Sequence, residues 1–172
     1  MLRTNRRSIR LLALAGLVVA LLGGAIGTTT VASAQTVAPA ATKNFKVTLY
    51  GWPDNDPPGN AIAFPRKHRH AGGRGTYSDP VTFATRNGLK PGTIIYIPYM
   101  KKYFIMEDLC AGCNGGWIDL WAGGSNATRN QVLACENSLT RNRAAVILNP
   151  AKNLAVNTTP IFNTSTRKCF KP

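Results

Sequence analysis

Short segments in which apolar and polar residues alternate recur along the chain from residue 45 to residue 148. Alternation with a period of two, together with β-branched and aromatic residues, predicts β-strands. The connections are rich in glycine and proline, which interrupt regular structure. The pattern predicts six short strands, at residues 45–50, 80–85, 93–99, 103–107, 117–121 and 144–148.

One segment, residues 128–139, has a helical pattern instead. Its apolar residues recur at helical spacing, and Ser125 or Asn126 is a suitable N-cap. Six short strands and one helix favour a mostly β fold, a small and mostly antiparallel barrel with one short helix.

The first 34 residues are predicted to be a signal peptide. Four arginines precede an apolar run at residues 11–27, and Ala32-Ser33-Ala34 is a typical cleavage site. An uncleaved anchor is the alternative, and Sec and twin-arginine export both remain open. We expect a secreted, extracellular protein with a flexible lead-in at residues 35–44 and one domain at residues 45–172.

The net charge of the chain indicates which kinds of partner it binds. The chain has 21 basic and seven acidic side chains, and loss of the four signal-peptide arginines leaves a net charge near +10. Such a charge attracts anionic surfaces, which for an exported protein are wall polymers such as acidic polysaccharides or peptidoglycan. No nucleic-acid-binding motif accompanies the basic residues. We expect a monomer that binds neither nucleic acid nor, after signal cleavage, a membrane.

Four cysteines lie in the predicted domain. An even number in an exported protein predicts two disulfides, with three possible connectivities, among Cys110, Cys113, Cys135 and Cys169. Cys110-Ala-Gly-Cys113 also has the spacing of a redox motif or of half a zinc site. A second such pair and a suitably spaced histidine pair are missing from the sequence, so we predict no metal and no cofactor. Cys169 is expected to hold the C-terminal tail to the body of the domain.

Acidic residues are scarce and therefore informative. The seven are Asp54, Asp56, Asp79, Glu107, Asp108, Asp119 and Glu136. Adjacent strand residues point to opposite faces, so either Glu107 or Asp108 is expected to face the barrel interior or its mouth. Asp119 lies between Ile118 and Leu120 and is expected on the face opposite the core.

Several motifs around these acids resemble those of the double-psi β-barrel superfamily. They are Gly92-Thr93-x-x-Tyr96-Ile97-Pro98, Met106-Glu107-Asp108, and Ile118-Asp119-Leu120-Trp121-x-Gly123, with Asp79-Pro80 and Val47-Thr48-Leu49-Tyr50 upstream. The superfamily includes three-aspartate, rare-lipoprotein-A-like and lytic transglycosylase A proteins, expansins and family 45 glycoside hydrolases. The whole chain is also similar to small secreted barrel proteins of actinobacteria and fungi. It departs from the pattern at Leu109-Cys110 and in the Cys-x-x-Cys turn.

The resemblance implies a six-stranded double-psi barrel and a chemical role for two aspartates. Asp119 takes the position of the general acid in the transglycosylases and family 45 enzymes, and Asp108 that of its partner. Asp54 or Asp56 is an alternative base. The competing interpretation is that Asp108 and Asp119 bind backbone amides and are structural.

Aromatic residues and histidines complete the candidates. A sugar-binding surface is predicted from Trp52, Asp54, Tyr77, Tyr99, Trp117 and Trp121, although core packing is the favoured interpretation of each single aromatic residue. His68 and His70 are expected in a solvated loop.

Three functions therefore remain open. The first is cleavage of a glycosidic bond in a wall polymer, by a glycoside hydrolase or a lytic transglycosylase. The second is expansin-like binding of carbohydrate without catalysis. The third is a secreted protein-interaction module such as a protease inhibitor.

Overall fold

The computed structural model describes residues 40–172. The predicted signal peptide and the first half of the predicted lead-in, residues 35–39, lie outside the described residues. Within residues 40–172, the structure contains no helix of the length and apolarity needed to cross a membrane.

Eight strands and one helix follow one another along the described chain. They are β1 (Ala41–Tyr50), β2 (Val81–Thr85), β3 (Ile94–Ile97), β4 (Lys102–Asp108), β5 (Trp117–Trp121), α1 (Arg129–Leu139), β6 (Arg141–Leu148), β7 (Phe162–Asn163) and β8 (Lys168–Cys169). The first six strands form a closed barrel in the order β1-β5-β2-β4-β3-β6, and β7 pairs with β8 in a separate hairpin. The predicted mostly β fold, a six-stranded barrel with one short helix and two disulfides, is confirmed.

The barrel is mixed, because two of its strand pairs are parallel. β1 pairs with β5, and β2 with β4, in parallel, while the other four pairs are antiparallel. Parallel neighbours need a crossover connection, so the chain leaves the barrel and returns between these strands. The long connection between β1 and β2 covers the outside of the barrel near β4, where the amide of Phe64 donates to the carbonyl of Glu107 at 2.8 Å.

The element boundaries differ from the predicted ones where polar residues extend a strand. Ala41, which was assigned to the lead-in, already pairs with Leu148, so the first half of β1 is an exposed ribbon with β6. Alternation cannot reveal this part of β1, because residues 41–44 are all exposed. The helix is capped by Thr128, in a capping box with Gln131, rather than by Ser125 or Asn126.

The core lies inside the barrel, and α1 packs against its outside. Val47, Leu49, Phe83, Ile118 and Leu120 are buried on the inner face. The helix contributes Val132, Cys135 and Leu139 to the same apolar cluster.

Two glycines allow the helix to lie this close to the barrel. A β-carbon at Gly51 would be 2.7 Å from the Gly123 carbonyl and 2.7 Å from Val132 Cγ1. One at Gly124 would be 2.5 Å from Val132 Cγ2. We call Gly51 and Gly124 the glycine seam.

The disulfides are Cys110–Cys113 and Cys135–Cys169. The second joins α1 to the C-terminal hairpin, so the prediction that Cys169 holds the tail to the body is confirmed. The first closes the short connection between β4 and β5.

Candidate functional site

Four neighbouring strands place one row of residues across the outside of the barrel. In the strand register Thr48 of β1 lies opposite Asp119 of β5, Asp119 opposite Ala84 of β2, and Ala84 opposite Asp108 of β4. Ile118 and Leu120 are fully buried in the core, so Asp119 points outward, as the alternation predicted. The row places the two predicted aspartates, Asp119 and Asp108, on either side of the small residue Ala84.

Asp119 has an environment that stabilises its protonated form. Burial raises the pKa of its carboxyl to about 6, and the charges of Asp54 and Asp108 add to this effect. Two contacts oppose the shift. Thr48 Oγ1 donates a 2.6 Å hydrogen bond to Asp119 Oδ1, and the ammonium of Lys46 lowers the pKa through its charge.

Trp117 flanks Asp119 on the same face of β5. Its indole Nε1 donates a 2.7 Å hydrogen bond to Thr48 Oγ1, which leaves the Thr48 hydroxyl hydrogen for Asp119. Lys46 Nζ lies 3.6 Å from the centre of the Trp117 ring. An aromatic face and a cation therefore border the acid, and both are only partly buried.

Asp108 is held in place by three donors. Tyr50 Oη donates to Oδ2 at 2.7 Å, and the amides of Ala63 and Leu109 donate to Oδ1 at 3.0 and 2.8 Å. Only 7% of Asp108 is exposed. These contacts match the structural interpretation of Asp108, and a catalytic role for it stays a prediction.

The sequence did not single out Glu136 as a site residue, although the structure places it beside Asp54 and Asp119. This helix residue is 3% exposed, and its Oε1 has no hydrogen-bond partner among the described residues. Its pKa is raised to about 8, mainly by burial and also by the charges of Asp54 and Asp119. Asp54 itself accepts a 2.8 Å hydrogen bond from the amide of Gly51. We call Asp54, Asp119 and Glu136 the acid cluster.

A signal for Glu136 was present in the sequence. It is the one acid in a helix whose buried positions are otherwise Val132, Cys135 and Leu139. A carboxyl group on the buried face of a helix is costly unless it is neutral or paired.

The Cys110–Cys113 disulfide lies against the acid cluster. Both sulfur atoms and a carboxylate oxygen of Asp119 are within 4.8 Å of one another. Cys113 is fully buried and Cys110 is partly exposed. Thiolates rather than disulfide sulfurs are metal ligands, so the oxidised pair offers no thiolate ligand.

Glu107 belongs to a separate network, and here the prediction of a solvated His68 is wrong. Glu107 is fully buried and accepts hydrogen bonds from the amides of Arg66, Lys67 and His68 and from Thr82. His68 Nδ1 lies 2.7 Å from Glu107, and its Nε2 lies 3.0 Å from Asp79. The imidazole is half-buried because it bridges two carboxylates.

Adjacent strand residues are expected to point to opposite faces, but the carboxylates of Glu107 and Asp108 both accept hydrogen bonds from amides of residues 63–68. The expectation that one of them faces the barrel interior or its mouth stays a prediction. The register between β2 and β4 shifts between Phe83 and Ala84. Because of this irregularity, the adjacent residues Glu107 and Asp108 can both direct their side chains to the same side of β4.

The remaining predicted sugar-binding residues are dispersed. Trp121 is nearly buried and packs edge-on against Tyr50, with ring centres 5.3 Å apart, while Trp52 packs against the core. Tyr77 packs edge-on against Tyr103 and borders a different cleft. Tyr99 donates to the Leu139 carbonyl at 3.0 Å and borders another. Of the six predicted residues, Trp117 lies on the same face of β5 as Asp119, and Asp54 acts on the pKa of Asp119 through its charge.

Comparisons with known proteins match the whole barrel. The family model described as the DDB_G0273701 N-terminal domain matches residues 42–170. A Dictyostelium discoideum relative, "Uncharacterized protein DDB_G0273701/DDB_G0273221", is 39% identical over 134 residues, covering 73% of this chain and 59% of the relative. This chain thus spans 59% of the length of that relative. No solved structure matches the chain. The matched residues include the acid cluster and both disulfides, and the chain belongs to the family of the DDB_G0273701 N-terminal domain.

Proposed function

We propose that this chain is an exported double-psi barrel protein that cleaves glycosidic bonds in an anionic wall polysaccharide or peptidoglycan, with Asp119 as general acid. The observation that carries the proposal is the outward-facing, partly buried carboxyl of Asp119, whose pKa is raised to about 6. Cleavage of a glycosidic bond needs a protonated carboxyl beside the leaving oxygen. A carboxyl with this pKa retains its proton in a useful fraction of molecules at mildly acidic pH.

The surroundings of Asp119 suit a sugar polymer. The Trp117 ring provides an apolar face against which a sugar ring can pack, and Lys46 provides a cation next to it. The chain has many more basic than acidic side chains, which favours a polymer with negative charges. The two disulfides are compatible with export.

Asp54 is a better candidate than Asp108 for the second carboxylate. Asp108 is bound by two amides and a phenol, whereas Asp54 has one amide donor and influences the pKa of Asp119 through its charge. In an inverting hydrolysis Asp54 would activate the attacking water. A lytic transglycosylase would use Asp119 alone, with a hydroxyl of the substrate as the attacking group.

The barrel supports the proposed superfamily membership. Three features support it: the closed order of the six strands, the two parallel strand pairs, and the position of Asp119 opposite Thr48. The three-aspartate pattern is incomplete, because Asp79 binds His68 and Arg74 and lies in the other network.

A second candidate is an expansin-like module that binds the polymer without cleaving it. The saturated hydrogen bonding of Asp108 favours this candidate, because a carboxylate that three donors hold is less free to act as a base. A protein-interaction module such as a protease inhibitor is the third.

Purified walls incubated with the protein at pH 5–6 separate these functions. We expect soluble reducing ends, and about a 100-fold or greater loss of their release in Asp119→Asn. Asp79→Asn makes the same chemical change in the other network and is the matched control, with folding of both variants checked by circular dichroism. Full activity of Asp119→Asn would exclude the assignment. Salt-sensitive binding without new reducing ends, weakened in Trp117→Ala, would favour the binding module.

A further inference from the structure

The connection between β4 and β5 brings a disulfide and a carboxyl group together. Among residues 40–172, Cys110, Cys113 and Asp119 are the one cluster of three cysteine, histidine or acidic side chains whose ligand atoms lie within 4.8 Å of one another. We propose that Cys110 and Cys113 form a thiol–disulfide exchange centre, with Asp119 as the group that gives and takes the proton of the buried sulfur. This inference does not depend on the glycosidase proposal.

The two sulfurs differ in accessibility, as exchange requires. Cys110 is partly exposed and can be attacked from solvent, whereas Cys113 is fully buried. Exchange proceeds through a mixed disulfide on one sulfur and a thiolate on the other. Attack at Cys110 leaves the thiolate on Cys113, the sulfur that water cannot stabilise.

A carboxyl group close to Cys113 can protonate that buried thiolate. An oxygen of Asp119 is within 4.8 Å of Cys113 Sγ, a separation that one bridging water spans. With the pKa of Asp119 raised to about 6, roughly a tenth of the molecules carry the carboxyl proton at pH 7. The geometry therefore provides a proton donor on the buried side of the bond.

The two neighbours of Cys110 border a cleft in the surface, although Cys110 itself does not line it. Leu109, which is 46% exposed, and Ala111 line this cleft of about 460 Å³ together with Ile62 and Asp56. A β-carbon at Gly112, Gly115 or Gly116 would meet nothing within 4 Å, so the connection has room to move when the sulfurs separate.

The chemical steps balance with a dithiol as reductant. A thiolate of the dithiol attacks Cys110 Sγ, the Cys110–Cys113 bond breaks, and its electron pair goes to Cys113 Sγ. Asp119 gives its proton to that sulfur and recovers one from solvent. The second thiol of the reagent loses its proton to solvent, attacks the sulfur of the reagent bound to Cys110, and releases Cys110, which takes up a proton. The dithiol becomes a disulfide, and the protein gains two electrons and two protons.

The test uses the oxidised protein in its native state and dithiothreitol as the probe. Free thiols are trapped with an alkylating reagent at set times, and mass spectrometry of the peptides distinguishes the two disulfides. We expect Cys110–Cys113 to be reduced about tenfold or more faster than Cys135–Cys169, with no change in the far-ultraviolet circular dichroism spectrum. Equal rates, or reduction that accompanies unfolding, would overturn the proposal.

A pair of variants tests the role of Asp119. Asp119→Asn should slow reduction of Cys110–Cys113 by about tenfold or more at pH 7 and remove the dependence of the rate on a group that titrates near pH 6. Asp79→Asn should reproduce the wild-type rate. Equal rates of Cys110–Cys113 reduction in the two variants would show that Asp119 is not part of the exchange centre.

Catalytic turnover is measured with insulin as the disulfide substrate and dithiothreitol as the electron donor. The wild-type protein should accelerate the precipitation of reduced insulin, and the double variant Cys110→Ser, Cys113→Ser should not. A wild-type rate equal to that of the double variant would contradict an exchange activity. Wall cleavage by Asp119→Asn is measured separately. Its loss would not change what the disulfide-reduction and insulin assays show about the exchange centre.

Discussion

The Thr48 hydroxyl donates a 2.6 Å hydrogen bond to the Asp119 carboxylate, across the parallel pair formed by β1 and β5. This bond lowers the pKa of a carboxyl that burial raises. The acidity of Asp119 is thus a balance in which the neighbouring strand contributes the side chain that favours ionisation.

Thr48→Val should raise the pKa of Asp119 above about 6, because the substitution removes a hydrogen bond to the charged form and keeps the shape of the side chain. Carbon-detected NMR titration of the carboxyl groups measures it. Thr42→Val, at an exposed position of β1, is the matched control. An unchanged pKa would show that Thr48 does not set the acidity of Asp119.

Glu136→Gln should change how stability depends on pH. The folded protein holds the Glu136 proton to about pH 8, whereas the unfolded chain releases it near pH 4.5, so this residue's contribution to stability falls as pH rises between these values. The variant lacks this loss. Its free energy of unfolding should therefore be higher than the wild-type value by roughly 2–4 kcal/mol at pH 8.5.

Urea denaturation at pH 4.5 and pH 8.5 provides the comparison for Glu136. Asp56→Asn, at an exposed acid, controls for the change of charge. A free energy of unfolding for Glu136→Gln that falls with pH as steeply as the wild-type value would contradict the assignment.

His68 should stabilise the fold at mildly acidic pH. Burial lowers the pKa of this imidazole, but hydrogen bonds to Glu107 and Asp79 outweigh burial and raise the pKa above its usual value of 6.5. Its contribution is therefore complete below pH 6.5 and is lost as pH rises through the folded-state pKa. Asp79 and Glu107 have lowered pKa values, and their contributions are lost at acidic pH.

His68→Gln should lower the free energy of unfolding by roughly 2 kcal/mol at pH 5.5 and by less at pH 8. Thermal or urea unfolding at the two pH values measures the difference. His70→Gln, at the exposed histidine two residues away, should have little effect at either pH. Equal losses at both pH values would mean that the charge of His68 is not involved.

The sequence predicts the barrel well because its strands are short and separated by glycine and proline, and because Ile118 and Leu120 fix the direction of Asp119. The parallel pairing is not predictable from alternation, which reports which face is buried and not which strand is adjacent. The role of His68 was missed because its partners Glu107 and Asp79 are 39 and 11 residues away. Glu136 was overlooked because only packing shows that a helical acid lies beside Asp54.

The glycine seam connects helix packing to chemistry. Gly51 and Gly124 let α1 approach until Glu136 Oε1 would lie 2.9 Å from a β-carbon at position 51. A single methyl group there would push the helix outward, hydrate Glu136 and bring its raised pKa back toward the usual value for a glutamate. The protonation state of a buried helical carboxyl is therefore controlled by two residues without side chains, and selection on it can act at positions that no substrate touches.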